Sequence, residues 1–280
     1  MSMKWKILFG VCTALFIASS IFGWHVHTVY RSFVASTNIG TPLFDQKTLE
    51  DYGDQINQSL RRHNVKAAIV SRSGQPRDKL PEGVMFTHSA FFLLDEQNKN
   101  YVVYNLYHGE ENRLMSSLVA DSAADFLRLL KERDAGFVVP DAATQDALYD
   151  YIKSETYGAV HQVNYSLISN PYDARYQNCN EFMLDTLAAM VWDITDTSKI
   201  KARFKNTLRP SELKASFIRR YIGPIVDERL IMDDHKDKIW TTTSQTLANF
   251  LSDEGLLENH YILDLETGQE QPMQTFAEKG

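Results

Sequence analysis

The sequence has few cysteines, no excess of positive charge and no internal repeat, and each shortage excludes a class of protein. Only two of the 280 residues are cysteines, and Cys12 lies in an apolar N-terminal segment, so the remainder cannot form a disulfide framework. The formal net charge is −7, and it becomes −9 without residues 1–24, which carry two lysines and no acid. An acidic chain lacks the basic face that phosphate binding needs, which argues against nucleic acid as a partner.

The first 24 residues are predicted to be a signal anchor or a signal peptide. Ile7–Trp24 runs for 18 residues without a charge. That length lies between the roughly 7–15 residues of a cleavable hydrophobic region and the roughly 20 of a spanning helix. Lys4 and Lys6 precede the run and place that end in the cytosol. We therefore expect an exported protein, membrane-anchored or periplasmic, on the periplasmic side of a bacterial inner membrane.

The rest of the chain is predicted to be a linker at residues 25–44, one α+β domain at 45–267 and a polar tail at 268–280. Two aromatic runs, Val84–Leu94 and Tyr101–Tyr107, flank a polar stretch and predict an antiparallel hairpin in a sheet covered on both faces. Apolar residues at helical spacing predict the helices. These are Asp45–His63, Asp121–Glu132, Asp141–Ser154, Asn178–Trp192, a basic helical region at 196–222 and Thr243–Leu251.

Cys179 is the candidate nucleophile. It begins Asn178–Trp192, the most apolar helix of the domain. A helix N-terminus favours a thiolate over a thiol, and its free N–H groups can stabilise an oxyanion. Because buried free cysteines are common, spacing alone leaves an inert packing residue as the alternative.

The neighbours of the thiol are candidates for supporting roles. Tyr176, Gln177 and Asn178 directly precede it and are predicted to contact substrate or the oxyanion, with a polar loop as the alternative for the first two. Asn178 is also the predicted N-cap, and Glu181 stands at the capping-box position three residues later. We interpret Glu181 as a capping residue and not as a catalytic acid.

Of the eight histidines, only His88 lies inside an apolar β-run, where an imidazole must find a buried polar partner. A thiolate nucleophile needs a base and proton donor, which is normally a histidine. The predicted hairpin brings residues 105–108 opposite His88, although the sequence does not fix the register. Asn105 is the natural orienting group because its amide oxygen accepts from an imidazole N–H, and His108 and Tyr104 are the alternatives.

The segments that contain these residues resemble bacterial domain-of-unknown-function family 2145. They are Gly83–Ala90, Tyr101–Tyr107, Asn170–Tyr172 and Tyr176–Phe182. A cysteine at a helix start, with a histidine upstream on a strand, is also similar to the circularly permuted branch of the NlpC-type, papain-like superfamily. The lecithin retinol acyltransferase group belongs to that branch.

The resemblance implies an antiparallel sheet packed against a central cysteine-bearing helix. It also implies Cys179 as nucleophile, His88 as base and a polar group on the next strand as the orienting residue. The permuted order is present, since His88 precedes Cys179 by 91 positions. The chain departs from the lecithin retinol acyltransferase pattern at the third position, where that group has a second histidine after a shorter spacing.

The expected function is an exported cysteine hydrolase, a peptidase or amidase that acts on a cell-envelope substrate through an acyl-enzyme. The alternatives are a lipid acyltransferase or thioesterase of the same fold and a catalytically inactive binding module of the envelope. The expected partners are a small-molecule, peptide or lipid substrate and, through the N-terminal segment, the membrane. No cofactor or metal is predicted: the acidic run at 233–237 contains a lysine and is interpreted as a solvated loop.

Overall fold

The computed structural model describes residues 40–109, 112–214, 223–225 and 227–273, which form an α+β fold, as predicted. The strands are β1 (Ala67–Arg72), β2 (His88–Leu94), β3 (Tyr101–His108), β4 (Ser116–Asp121), β5 (Asp134–Pro140), β6 (Ser211–Leu213), β7 (Ile239–Thr241), β8 (Leu257–Asp264) and β9 (Glu270–Pro272). The α-helices are α1 (Gln46–Arg62), α2 (Ala123–Leu127), α3 (Ala142–Lys153), α4 (Cys179–Trp192), α5 (Thr197–Thr207) and α6 (Ser244–Asp253).

Seven strands form one antiparallel sheet in the order β4-β3-β2-β1-β5-β8-β9, and β6 and β7 pair separately. The predicted hairpin is β2 and β3. Phe91 pairs with Tyr104 in this hairpin, so the same register continued places Tyr107 opposite His88. Of the predicted run Val84–Leu94, residues 84–87 belong to a loop, and strand β2 begins at His88.

Two hydrophobic cores cover the two faces of the sheet, because successive residues of a strand point to opposite faces. On β1, Ile69 packs into the core that contains α4, whereas Ala68 and Val70 pack into the core that contains α1 and α2. Both faces are therefore buried, as the continuous apolar runs predict. We call these the α4 face and the α2 face.

Side-chain caps begin the long helices, and the cap at Asn178 is the predicted one. Asp45, Asp141 and Asn178 each accept a hydrogen bond from the backbone N–H three residues later. Helix α2 is shorter than predicted and begins after Ser122. After α2 the chain reaches the end of the central strand β1, where the Lys131 N–H donates to the Ser73 carbonyl oxygen.

The predicted helical region 196–222 is wrong at residues 208–214, which follow α5. Pro210 follows three residues after Thr207, and the residue before a proline disfavours helical geometry. The chain then forms β6, and residues 215–222 lie outside the described part. Strand β4 was not predicted either, because an edge strand with one exposed face carries few apolar residues.

The predicted boundaries at the two ends of the chain have different outcomes. The predicted signal anchor or signal peptide at residues 1–24 lies outside the described residues. Within the described ranges, no helix has the length and apolar character to cross a membrane. At the other end, β9 pairs with β8 beyond residue 267, so the sheet extends into the stretch that was assigned to the polar tail.

Candidate active site

Cys179 is the first residue of α4, and its position is fixed by the cap before it. The side-chain oxygen of Asn178 accepts from the Glu181 N–H at 2.9 Å, and its amide nitrogen donates to the Leu167 carbonyl oxygen at 3.3 Å. The thiol therefore lies at the positive end of the helix dipole. Only 2% of Cys179 is exposed, and its sulfur lies 3.9 Å from the carbonyl oxygen of Thr87.

Cys179 lines a pocket that is partly open to solvent. Most of the wall is apolar and is formed by Leu80, Pro81, Val84, Phe86, Leu167, Ile168 and Leu213. The polar part is formed by Asn178, Asn180 and the threonines at 241–243. A group bound beside the sulfur would thus meet apolar side chains on one side and hydroxyl or amide groups on the other.

His88 and Asn105 are joined, as the sequence predicts. The Nε2 atom of His88 lies 3.0 Å from Oδ1 of Asn105, and Nδ2 of Asn105 donates to Oδ2 of Asp121 at 3.1 Å. An amide oxygen only accepts, so Nε2 carries the ring proton and Nδ1 carries the lone pair. Nδ1 is buried, and within the described part of the chain it has no hydrogen-bond partner.

The imidazole of His88 is fully buried between aromatic rings. It stacks on Tyr107 with ring centroids 5.1 Å apart and lies 5.5 Å from the ring of Phe126 in α2. Burial, and after it the Arg72 guanidinium, hold the pKa of His88 well below 6.5, and the hydrogen bond with Asn105 opposes them. His88 is therefore a neutral base at physiological pH.

The sulfur and the imidazole approach the start of β2 from different faces of the sheet. Cys179 belongs to the α4 face, whereas the contact with Phe126 places the His88 ring on the α2 face. The sulfur contacts the backbone of Thr87, the residue before His88. The structure thus brings Cys179 to the start of β2, the strand that carries His88, and joins His88 to Asn105. Among the described residues, no hydrogen bond joins the thiol to the ring.

Arg72 is a residue of the site that the sequence did not reveal. It is fully buried, pairs with His88 across β1 and β2, and donates from Nε to the Phe126 carbonyl oxygen. Burial lowers the pKa of Arg72, and Tyr107, Cys179 and Asp121 counteract that effect. An arginine in a short strand resembles a surface residue in the sequence, and only the register shows that it lies beside His88.

Neither alternative to Asn105 is available as the orienting group. His108 is engaged at both nitrogens, because Nδ1 lies 3.0 Å from the Gly109 carbonyl oxygen and Nε2 lies 2.8 Å from Nη1 of Arg229. The hydroxyl of Tyr104 binds Lys153 at 2.6 Å near the surface. Asn105 is the only one of the three that contacts His88.

The three residues before the thiol have different positions. Asn178 lines the pocket. The Tyr176 hydroxyl donates to Asp233 at 3.2 Å, and the Gln177 amide donates to the Val160 carbonyl oxygen and to Asp185. Gln177 therefore holds the loop from its buried side. Besides Asn178, the polar residues that line the pocket include Asn180 and the threonines at 241–243, which no spacing rule in the sequence identifies.

Glu181 does not complete a capping box. Its carboxylate accepts from Ser169 and from Lys201, which also binds Asp185, and these three ionisable side chains are at most 4% exposed. Burial raises the pKa of Glu181 to about 7, although Lys201 acts in the opposite direction. The cluster attaches α5 to the first two turns of α4 and so supports the helix that carries the thiol.

Across the described ranges, no group of three or more His, Cys, Asp or Glu side chains is arranged to hold a metal ion. A sequence model of one bacterial family, described as "Uncharacterized protein conserved in bacteria (DUF2145)", matches residues 59–251. The match covers the sheet from β1 to β5 and every helix from α2 to α5. No curated protein and no solved structure matches the chain.

Proposed function

This chain belongs to the DUF2145 family of uncharacterized bacterial proteins, and we propose that it is a cysteine hydrolase that cleaves an amide or ester bond. The observation that carries the proposal is the placement of Cys179 at the first residue of a capped, buried helix whose N-terminus faces a pocket. A thiol in that position is favoured as a thiolate. The His88–Asn105 pair supplies a neutral base with its lone pair on Nδ1.

We propose further that the fold is papain-like and circularly permuted. The support is an antiparallel sheet packed on a helix that begins with the cysteine, with the histidine on an earlier strand. Asn105 then has the role of the orienting residue that fixes the imidazole of the base.

In the proposed reaction, Nδ1 of His88 takes the proton of the Cys179 thiol and the sulfur forms a bond to the substrate carbonyl carbon. Backbone N–H groups of the first turn of α4 stabilise the oxyanion. The imidazolium gives its proton to the leaving amine or alcohol as the C–N or C–O bond breaks. Water, deprotonated by His88, then hydrolyses the thioester and returns the free thiol.

This reaction requires the ring and the sulfur to come together at the start of β2. The sulfur contacts the Thr87 carbonyl oxygen at 3.9 Å, one residue before His88. His88 is the first residue of β2 and follows a loop. The proposal therefore requires a rearrangement of residues 84–88 that brings the ring from the α2 face to the sulfur.

A specific observation favours lipid as a second substrate class. The wall beside Cys179 is formed mainly by aliphatic and aromatic side chains, which suit an acyl chain as well as an apolar peptide side chain. A lipid acyltransferase or thioesterase would use the same nucleophile and base. In either case we propose an exported site facing the cell envelope, on the evidence of the N-terminal lysines and apolar run.

The test compares wild type with Cys179→Ala and Cys179→Ser on p-nitrophenyl acetate and p-nitrophenyl octanoate. We expect a burst of p-nitrophenol and an acyl adduct on Cys179 by mass spectrometry in wild type, and neither in the two variants. A higher kcat/KM for octanoate would indicate an acyl substrate. Cys12 stays in every variant and reports the background labelling. Full activity in the Cys179→Ala protein would contradict the proposal.

A further inference from the structure

Three polar side chains form a line across β2, β3 and β4 on the α2 face of the sheet. His88 contacts Asn105, and Asn105 contacts Asp121, at 3.0 and 3.1 Å. Asp121 is the last residue of β4 and pairs with Val103, so it lies diagonally opposite Asn105 on the same face. Asn105 is fully buried, whereas Asp121 is half-buried at the sheet edge.

His88 and Asn105 alone do not determine where the ring proton resides. An amide has one accepting end and one donating end. If the amide oxygen faces Nε2, that nitrogen carries the proton. If the amide were flipped, its N–H would donate to an unprotonated Nε2, and the proton would reside on Nδ1. Both arrangements satisfy the pair, and no bond within the described residues holds Nδ1.

Asp121 removes this ambiguity. Burial raises the pKa of Asp121, and a hydrogen bond with Tyr107 and the Arg72 guanidinium oppose that effect. In its ionised form the carboxylate only accepts hydrogen bonds, so it requires the amide nitrogen of Asn105 to face it. The flipped amide would place its oxygen against the carboxylate oxygen, with both acceptors at the edge of a buried site. The oxygen of Asn105 must therefore face His88.

We propose that Asp121 is a positioning residue that sets the tautomer of His88 through Asn105. It holds the ring proton on Nε2 and leaves the lone pair on Nδ1. The inference rests on the proposed function in one respect: only this tautomer lets Nδ1 accept the thiol proton. Asp121 itself touches neither the sulfur nor the pocket.

The experiment measures the tautomer directly, by NMR of protein labelled with ¹⁵N-histidine, using His88→Gln to assign the His88 signals. In wild type we expect Nδ1 to have the shift of an unprotonated nitrogen and Nε2 that of a protonated one. In Asp121→Asn the amide at 121 accepts and donates, so the two tautomers should mix. The kcat/KM for p-nitrophenyl ester should fall by roughly tenfold, as for loss of a supporting hydrogen bond in other sites.

A swapped pair provides the rescue. In the Asn105→Asp, Asp121→Asn double variant, the carboxylate now at position 105 accepts from both the ring and the amide, so Nε2 again carries the proton. We expect this protein to recover the wild-type tautomer. A carboxylate at position 105 accepts from the ring whatever residue stands at 121, so the recovery shows that the mixed tautomers of Asp121→Asn arise from the orientation of the Asn105 amide. Asp54→Asn removes an exposed carboxylate on α1 and should change neither tautomer nor rate.

The outcomes separate this inference from the proposed function. If Asp121→Asn retains one tautomer with unprotonated Nδ1, the inference is overturned even when all activity depends on Cys179. If Cys179→Ala stays active while Asp121→Asn mixes the tautomers, the proposed function fails and the positioning role stands. Asp121→Ser, which also removes the obligate acceptor, serves as the second variant if the asparagine variant does not fold.

Discussion

At the scale of single residues, one glycine lets an aromatic ring lie against the sheet beside the thiol. A Cβ atom on Gly136 of β5 would overlap Cε2 of Phe86. Phe86 is 1% exposed and forms part of the pocket wall that contains Cys179. The absence of a side chain at position 136 therefore allows the Phe86 ring to take its place in the pocket wall.

We expect Gly136→Ala to lower the free energy of unfolding by about 1–3 kcal/mol, because the added methyl group must displace a close-packed ring. Urea denaturation measures the change. Gly158→Ala is the matched control, since its Cβ would meet only Leu118 at 3.9 Å, an ordinary contact. Equal stability of the two variants would contradict this account of Phe86.

The residues of the candidate site differ in how far the sequence could identify them. Cys179 and His88 are conspicuous because a rare thiol begins an apolar helix and one histidine stands within an apolar run of the sequence. Asn105 could be identified because the predicted hairpin brings residues 105–108 opposite His88. Arg72 and Asp121 could not be identified, because a charged residue at a strand end has the pattern of a surface residue until the register is known.

At the scale of helices, α4 buries two carboxylates and α5 supplies one ammonium group. The Nζ atom of Lys201 lies 2.5 Å from Glu181 and 2.7 Å from Asp185. If all three groups were charged, the interior would hold one excess negative charge. Burial accordingly raises the pKa of both Glu181 and Asp185, and that of Glu181 reaches about 7.

We expect the stability that this cluster contributes to fall as the pH rises from about 4.5 to about 7. In that range the folded protein keeps the Glu181 proton that the unfolded chain has lost, so a higher pH favours unfolding. The loss should reach at most about 3 kcal/mol. Urea denaturation at pH 5 and pH 8 of wild type and Glu181→Gln measures it.

In Glu181→Gln this part of the pH dependence should disappear, because the amide has no proton to lose in that range. The depressed pKa of His88 acts in the opposite direction, with stability lost as the pH falls below 6.5, but it is present in both proteins and cancels. Glu258→Gln, at an exposed position on β8, is the control. An identical pH dependence in wild type and Glu181→Gln would disprove the assignment.

At the scale of the whole molecule, the last strand joins the first helix. Glu270 of β9 accepts from Ser59 and Arg62 of α1 and contacts His63, each at 2.7 Å. β9 also lengthens the sheet beside β8. The described part of the predicted polar tail, residues 268–273, therefore contains the edge strand that contacts α1, and its polarity fits an edge position.

We expect Glu270→Ala to lower the free energy of unfolding by about 1–3 kcal/mol, because it removes the acceptor of three side chains at once. Thermal and urea unfolding provide the measurement. Glu258→Ala removes an exposed carboxylate from the neighbouring strand and should have little effect. A loss of equal size in both variants would show that Glu270 acts only through its charge.

The fold class, the central hairpin and the helix caps could be predicted because long periodic segments and caps are local signals. The short strands β6, β7 and β9 have three residues each, too few to show a period. The face to which a side chain points depends on strand register, which a shift of one residue reverses. For that reason the sequence indicated that His88 and Cys179 were candidates but not that they lie on different faces.

The burial of α4 has a mechanical consequence for the pocket. Every residue from Cys179 to Ala189 is buried, between the sheet on one side and other helices on the other. The helix cannot tilt or slide without breaking that packing, so the sulfur is a stiff reference point. Residues 80–87 form no helix or strand and supply four of the apolar wall residues. The pocket thus lies between an irregular segment of backbone and the rigid first turn of α4.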